Sequence, residues 1–227
     1  MSTVIPAPSP TILPVSESRL GFPVRRVYCV GRNYADHAIE MGHDPNREAP
    51  FFFQKNPDNL DASGEFPYPP LSNDVHHEVE LAVMLKSGTS RIDAGQALEH
   101  VYGYAVALDM TRRDLQGEAK KAGRPWEIGK AFERSAPVGQ ILPAAGRGFL
   151  DKGRIALTVN GETRQEGNLN QMIWKVPEII AKLSELFRLD AGDVILTGTP
   201  AGVGPVQRGD MLEASIEGLP GLTVKVV

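Results

Sequence analysis

The sequence has very little cysteine: a single one, Cys29, among 227 residues. One cysteine cannot form an internal disulfide bond, so a reducing cytoplasm is the simplest compartment for this chain. Cys29 stands in the apolar run Val27-Tyr28-Cys29-Val30. In such a run a buried structural thiol is expected rather than a nucleophile.

Long hydrophobic runs and an excess of positive charge are also missing. No segment reaches the length of a membrane span, and no early basic region followed by an apolar stretch marks an export signal. The formal net charge of −4 argues against binding nucleic acid through bulk electrostatics. The Gly-rich turn at 198–204 lacks the lysine and the spacing of a phosphate loop. We therefore expect a soluble cytoplasmic protein that binds neither membranes nor nucleic acid.

Glycine and proline are plentiful, at 23 and 18 residues, and they favour many turns and a β-rich architecture. Residues 1–20 form a proline-rich arm, and residues 21–227 show no repeat or linker, which predicts a single domain. The sequence pattern predicts strands at 26–30, 51–55, 75–85, 101–109, 155–159, 162–166, 211–216 and 222–227, and from residue 193 into the Gly-rich turn. Helical patterns lie at 33–42, 94–100 and 178–187.

The predicted strand at 75–85 carries two acidic residues among alternating apolar ones. Residues two apart on a strand point the same way, so Glu78 and Glu80 project from one face. Two adjacent carboxylates repel each other unless a cation lies between them. For this pair alone a solvated strand face is the preferred explanation, and a third oxygen ligand is needed before a metal site is favoured.

Three other positions offer chemistry, each with an ordinary alternative. Asp109 ends an apolar strand, where it serves either as a metal ligand or as the N-cap of the following turn. His37 and Glu40 lie three residues apart on a predicted helix, so their side chains are on one face. They form either a water-activating dyad or an ordinary surface pair. Lys130 is either a snorkelling surface side chain or a cation that faces an anionic substrate.

The order of these motifs along the chain is specific. They are Gly31-Arg32-Asn33-Tyr34 before His37 and Glu40, His77-Glu78-x-Glu80-Leu81, Asp109 with Arg113 and Gln116, Gly129-Lys130, and the turn at 192–204. In this order the chain resembles the fumarylacetoacetate hydrolase superfamily, in its short, single-domain, acylpyruvate-cleaving branch. The segment at 22–26 is most similar to that of bacterial fumarylpyruvate hydrolases of aromatic degradation.

The resemblance implies an α+β fold, a mixed β-sandwich roll with peripheral helices, that assembles as a homodimer and binds one Mg²⁺ or Mn²⁺. It also implies roles for nine residues: metal ligands Glu78, Glu80 and Asp109, a water-activating dyad of His37 and Glu40, and substrate contacts from Arg113, Gln116, Lys130 and Thr199. Three carboxylates suit a hard divalent cation. The further carboxylate ligand of the large two-domain members has no counterpart here.

The implied reaction is hydrolysis of a C–C bond in a 2,4-diketo acid, such as fumarylpyruvate, which gives fumarate and pyruvate. Glu40 with His37 takes a proton from the water that attacks the 4-carbonyl, and Lys130 and Gln116 stabilise the negative charge while Arg113 binds a carboxylate. Oxaloacetate decarboxylation, or isomerisation and decarboxylation of related diacids, by the same site is an alternative. A non-catalytic protein that binds 2-oxo acids is another, although mere binding needs no water-activating pair.

Overall fold

The computed structural model describes residues 3–7, 9–35, 48–145 and 147–227. Its strands are β1 (Ile12–Pro14), β2 (Gly21–Pro23), β3 (Arg26–Gly31), β4 (Phe51–Lys55), β5 (Leu60–Asp61), β6 (Glu65–Phe66), β7 (Val75–His77), β8 (Val79–Leu85), β9 (Val101–Leu108), β10 (Thr111–Arg112), β11 (Ala136–Pro137), β12 (Leu142–Pro143), β13 (Arg154–Val159), β14 (Glu162–Asn168), β15 (Asp193–Leu196), β16 (Gly204–Pro205), β17 (Met211–Ile216) and β18 (Leu222–Val226). Its α-helices are α1 (Arg113–Lys121), α2 (Glu127–Lys130) and α3 (Val176–Leu186), and 3₁₀ helices span Pro57–Asn59, Ala97–His100 and Leu169–Gln171. Mixed sheets with short helices at their margins confirm the predicted α+β class.

The larger sheet has six strands in the order β12-β9-β8-β15-β3-β4. β15 runs parallel to β3, and the other neighbouring pairs are antiparallel. β8 lies in the interior of this sheet, and all of its seven residues are buried. Strands that are buried on both faces have continuous apolar runs in their sequences. The predicted strands at 26–30 and 101–109 contain such runs, and the structure confirms them as β3 and β9.

The smaller sheet has five strands in the order β14-β13-β17-β18-β6. β13 and β14 form the predicted hairpin, joined by Asn160 and Gly161 with φ values of 53° and 82°. Positive φ at both central residues is what a type I′ turn requires. Along β17 exposed and buried residues alternate strictly. This sheet therefore covers a core with one face only.

Hydrophobic clusters lie on both faces of the six-stranded sheet. One contains Leu81 of β8 together with Leu157 of β13, so it fills the space between the two sheets. The other contains Ala82 of β8 together with Leu13 and Val138, which pack on the opposite face. Leu13 lies in β1, within the predicted N-terminal arm. The division into an arm at 1–20 and a domain at 21–227 stays a prediction.

The structure interrupts the strand that was predicted at 75–85. β7 pairs with β10 and β16 in a three-stranded sheet, whereas β8 belongs to the six-stranded sheet. The chain changes sheets at Glu78, and the Glu78 carbonyl accepts the N–H of Asp109 at 2.8 Å. The prediction of one continuous strand is therefore wrong, because its two halves find different partners.

Two of the predicted helices can be compared with the structure. At 94–100 only Ala97–His100 is helical, as 3₁₀ turns, and the Asp93 carboxylate accepts the Gly95 N–H at 2.8 Å in a local turn. At 178–187 the prediction is confirmed as α3, which starts at Val176 with Pro177 in its first turn. The predicted helix at 33–42 falls largely outside the described residues. None of the described helices is long and apolar enough to cross a membrane.

Candidate active site

Three buried carboxylates meet at the point where the chain enters the six-stranded sheet. Glu78 lies in the break before β8, Glu80 is the second residue of β8, and Asp109 follows β9. Because β8 and β9 pair with Val79 opposite Leu108, the antiparallel register brings Asp109 beside Glu78. One carboxylate oxygen from each residue lies within 4.8 Å of the other two. The three residues are only 6%, 2% and 1% exposed, so the solvated-face alternative is excluded for them.

Cationic side chains surround two of these carboxylates. Lys130 Nζ donates to Glu78 Oε2 at 2.9 Å and to Asp109 Oδ2 at 2.7 Å, and Arg113 Nη2 donates to Glu78 Oε1. Lys55 Nζ lies 2.9 Å from Asp109 Oδ1, close enough for an ion pair although the angle is not that of a hydrogen bond. Burial opposes the charge of Lys130, but Asp109 and Glu78 outweigh it and raise the Lys130 pKa. Lys130 therefore faces inward as a charged group.

Glu80 is in a different position from its two neighbours. Its Oε2 accepts the N–H of Gly198 at 2.8 Å, and within the described part of the chain it forms no ion pair with a lysine or arginine. Burial, followed by the charges of Asp109 and Glu78, raises the pKa of Glu80 well above its ordinary value. A divalent cation among the three carboxylates would supply the missing positive charge. The donor set consists of hard oxygens and fits Mg²⁺ or Mn²⁺.

The other predicted site residues that the structure describes line the same pocket. Arg113 and Gln116 lie on the first turn of α1, and Arg113 Nη1 donates to Gln116 Oε1 at 2.7 Å. Thr199 follows β15 in the Gly-rich turn, and Lys130 ends α2. Along with the three carboxylates, these four residues border one cavity. His37 and Glu40 lie outside the described residues, so the water-activating dyad stays a prediction.

The Gly-rich turn brings Thr199 to the pocket because glycine permits a close approach of two segments. Gly198 has a φ of 92°, and a Cβ atom at this position would lie 2.8 Å from the Cβ of Asn33. Asn33 Nδ2 in turn donates to the carbonyl of Thr197 at 2.8 Å. This packing aims the Gly198 N–H at Glu80, so one turn contributes both a contact to the acidic cluster and the hydroxyl of Thr199.

Sequence reasoning assigned no role to Lys55 and Gln165, two residues that the structure places around the site. The side chain of Lys55 is buried at the end of β4, where its Nζ donates to Ser135 Oγ at 2.9 Å and to the backbone carbonyl of Lys130. Lys55 ends the predicted strand at 51–55, a position like that of Asp109, so the sequence could have marked it as a candidate but not shown its partners. Gln165 stands among polar residues in a hairpin, and nothing local distinguishes it.

The fold and the acidic cluster define an enzyme-like pocket with a centre suited to a divalent metal. Residues 26–227 match the family model described as fumarylacetoacetate (FAA) hydrolase C-terminal, and the chain belongs to this family. The match covers both sheets and all the described site residues. It confirms the resemblance that the motifs indicated.

Solved structures and curated relatives show which proteins this chain is similar to. The crystal structure of fumarylpyruvate hydrolase from Pseudomonas aeruginosa in complex with Mn²⁺ and pyruvate is 48% identical, with a TM-score of 0.97 over 100% of this chain and 99% of that one. A putative fumarylpyruvate hydrolase from Burkholderia cenocepacia is 49% identical, with a TM-score of 0.93 over 100% and 98% of the two chains. The oxaloacetate tautomerase YcgM of Escherichia coli is 44% identical over 92% of this chain and 95% of its own length.

Proposed function

We propose that this protein is a metal-dependent hydrolase that cleaves a C–C bond in a 2,4-diketo acid, with fumarylpyruvate as substrate and fumarate and pyruvate as products, in the degradation of aromatic compounds. The observation that carries the proposal is the cluster of Glu78, Glu80 and Asp109 in one pocket with Lys130 and Arg113. The full-length similarity to a fumarylpyruvate hydrolase that binds Mn²⁺ and pyruvate supports this choice of substrate.

Glu78, Glu80 and Asp109 would hold the metal, for which we propose Mg²⁺, with Mn²⁺ as a substitute. When bound, such an ion supplies Lewis acidity to the oxygens of a 2-oxo acid. The carboxylates themselves are fixed before binding, because Lys130, Arg113 and the Gly198 N–H hold their oxygens in place. Fixed ligands favour binding because little side-chain freedom is lost.

The side chains around the carboxylates match the charges that the reaction develops. Attack of water on the 4-carbonyl and cleavage of the C3–C4 bond leave the electron pair on C3, delocalised into the adjacent 2-oxo group. We assign the stabilisation of this negative charge to Lys130 and Gln116, and the binding of a substrate carboxylate to the Arg113 guanidinium. The assignment is supported by the position of all three residues at the border of the pocket. Removal of a proton from the water is assigned to His37 with Glu40, on the family resemblance alone.

The direct test offers the purified protein fumarylpyruvate, acetylpyruvate and oxaloacetate, first with Mg²⁺ and then with a chelator. We expect fumarylpyruvate to be cleaved fastest, with fumarate and pyruvate formed in equal amounts, and the chelator to abolish the reaction. Cleavage that survives complete removal of the metal would contradict the metal-dependent mechanism. Faster conversion of oxaloacetate than of either acylpyruvate would contradict the substrate assignment.

The second candidate is oxaloacetate chemistry, favoured by the similarity to the E. coli oxaloacetate tautomerase. The same pocket would bind oxaloacetate and catalyse its keto–enol exchange or its decarboxylation, neither of which needs a hydrolytic water. Proton NMR of oxaloacetate separates the two outcomes, since tautomerisation changes the keto-to-enol relaxation rate whereas decarboxylation forms pyruvate. If the protein bound pyruvate but accelerated none of these reactions, a non-catalytic 2-oxo-acid-binding protein would be the remaining alternative.

Assembly and location belong to the proposal as well. We propose that the protein is a homodimer, because the family resemblance implies one. We propose that it is cytoplasmic, because its single cysteine suits a reducing compartment. Light scattering of the purified protein checks the first, and fractionation of the source cells checks the second. A monomer, or recovery outside the cytoplasm, would contradict the corresponding statement.

A further inference from the structure

Gln165 is a buried side chain that connects the start of β8 to the Gly-rich turn. It lies on β14, has no exposed surface, and uses both ends of its amide. The oxygen Oε1 lies 3.0 Å from the backbone N of Val79 and 2.9 Å from Nδ1 of His77. The nitrogen Nε2 lies 2.7 Å from Oγ1 of Thr199 and 2.9 Å from the carbonyl oxygen of Pro200.

Two of these partners fix which end of the amide is oxygen and which is nitrogen. The backbone N–H of Val79 can only donate, so it must face the Gln165 oxygen. The backbone carbonyl of Pro200 can only accept, so it must face the Gln165 NH₂ group. A flipped amide would place two donors together at Val79 and two acceptors together at Pro200. The orientation therefore follows from backbone groups whose roles cannot change.

This orientation decides the roles of the two side-chain partners. Because Gln165 Oε1 only accepts, His77 Nδ1 must carry a proton and donate it. Because Gln165 Nε2 only donates, Thr199 Oγ1 must accept, and the hydroxyl proton of Thr199 then points elsewhere. Thr199 borders the pocket with the acidic cluster, and within the described chain its hydroxyl donates to no protein group. A ligand in that pocket is therefore a candidate acceptor for this proton.

We propose that Gln165 is a positioning residue that sets the Thr199 hydroxyl as a hydrogen-bond donor to a carboxylate oxygen of the substrate; the inference rests on the proposed function, in which a 2-oxo acid occupies this pocket. A carboxylate oxygen only accepts, so it complements a hydroxyl whose own lone pair is already occupied. Without Gln165 this lone pair has lost its donor, so the direction of the hydroxyl proton is no longer fixed by it. Gln165 thus acts on the substrate through Thr199.

Binding of pyruvate in the presence of saturating Mn²⁺, measured by titration calorimetry, tests the proposal. Since a hydrogen bond to a charged group contributes a factor of about ten or more in affinity, Thr199→Val is expected to raise the Kd for pyruvate about tenfold, and Thr199→Ser to leave it near the wild-type value. Gln165→Met is expected to match Thr199→Val, and the double variant to be no weaker than either single one. Gln54→Met, on an exposed position of β4, is the matched control and should change nothing.

Kinetics add a readout that a purely structural defect would not reproduce. A contact present in both the bound substrate and the transition state changes KM more than kcat. Gln165→Met and Thr199→Val should therefore share the same KM increase, with a smaller effect on kcat. Additive losses in the double variant, or a wild-type Kd for Gln165→Met, would overturn the inference. If wild-type protein with Mn²⁺ bound no pyruvate, the proposed function itself would fail, and the inference with it.

A spectroscopic test needs no folded variant at position 165. The ¹⁵N resonances of the His77 ring in the wild-type protein, assigned with His77→Gln, report which ring nitrogen carries the proton. We expect a proton on Nδ1, hydrogen-bonded to Gln165. A neutral ring protonated only on Nε2 would show the opposite amide orientation and would overturn the proposal, even if Gln165→Met were too unstable to measure.

Discussion

Two strands with similar acidic alternation have opposite surroundings in this fold. In β8 the sequence Val79-Glu80-Leu81-Ala82 places Glu80 in a run whose seven residues are all buried. In β17 the sequence Met211-Leu212-Glu213-Ala214 places Glu213 on an exposed position. Alternation gives the direction of a side chain in both strands. It says nothing about whether a second layer covers that direction.

The second layer is what separates the two glutamates. β8 packs its Leu81 side against the five-stranded sheet and its Ala82 side, which Glu80 shares, against a cluster that includes Leu13. One face of β17 packs into the cluster between the two sheets, through Leu212 and Ala214. Glu213 lies on the other face, which is exposed, and its carboxylate accepts a hydrogen bond from the Thr158 hydroxyl at 3.3 Å. A buried carboxylate is costly unless it is paired, whereas an exposed one is not. Burial is thus the first sign that Glu80 has a function.

The largest expected effect is the loss of metal binding when Glu80 changes. Glu80→Gln keeps the shape of the side chain but removes the charge, so we expect Mn²⁺ affinity to fall roughly a hundredfold or more, with a comparable loss of activity. Glu213→Gln is the matched control on β17 and should leave both unchanged. Calorimetric titration with Mn²⁺ measures the affinities. Equal behaviour of the two variants would remove the distinction between the strands.

The next effect is on stability and concerns Lys55. Lys55→Met leaves Asp109 with less compensation in a buried position, so we expect a loss of about 3 kcal/mol in the free energy of unfolding. Lys225→Met, on an exposed position of β18, should lose far less. Urea denaturation of the metal-free proteins provides both values. A small loss for Lys55→Met would show that the acidic cluster is less dependent on its cations than the contacts indicate.

A smaller effect is a pH dependence that only the buried glutamate should produce. The folded-state pKa of Glu80 is raised, so above its ordinary value of 4.5 the folded metal-free protein binds more protons than the unfolded chain. Its contribution to stability is therefore present at low pH and is lost as the pH rises from that value through the raised pKa. Urea midpoints in chelator at several pH values measure this, and Glu80→Gln should flatten the trend. An unchanged trend in Glu80→Gln would assign it to other groups.

The smallest effect is expected on the outer face of the five-stranded sheet. Thr158→Val removes the donor to Glu213, and because exposed polar contacts contribute little, the free energy of unfolding should change by less than about 0.5 kcal/mol. The same urea denaturation serves as the measurement. A loss several times larger would mean that this face is covered in the assembled protein, and that the comparison of the two strands needs a partner subunit.

Much of the fold was predictable because its signals are local. The buried runs at 26–30 and 101–109, the Asn160-Gly161 turn and the helix beginning near Pro177 are confirmed. The break at Glu78 was not predictable, since it depends on which sheets the residues on either side join. The helix at 94–100 was overestimated because Asp93 satisfies a local turn instead of capping a full helix.

The site was predictable as a set of candidates, each with an open alternative that packing then decided. Asp109 does not cap a helix, because α1 begins at Arg113 with Arg112 at its N-cap, and Lys130 does not snorkel to the surface but is buried against two carboxylates. Lys55 reaches the cluster only through tertiary packing, and Gln165 through the pairing of distant segments. Such contacts join residues far apart in the chain, and no local pattern carries them.

By itself the sequence determined the periodicity of the strands, the presence of acidic residues at positions 78, 80 and 109, and the order of motifs that identifies the family. Only the tertiary structure decided that Glu80 is buried and Glu213 is not. The physical reason is that periodicity follows from backbone geometry within one segment, whereas burial depends on whether other segments cover that face.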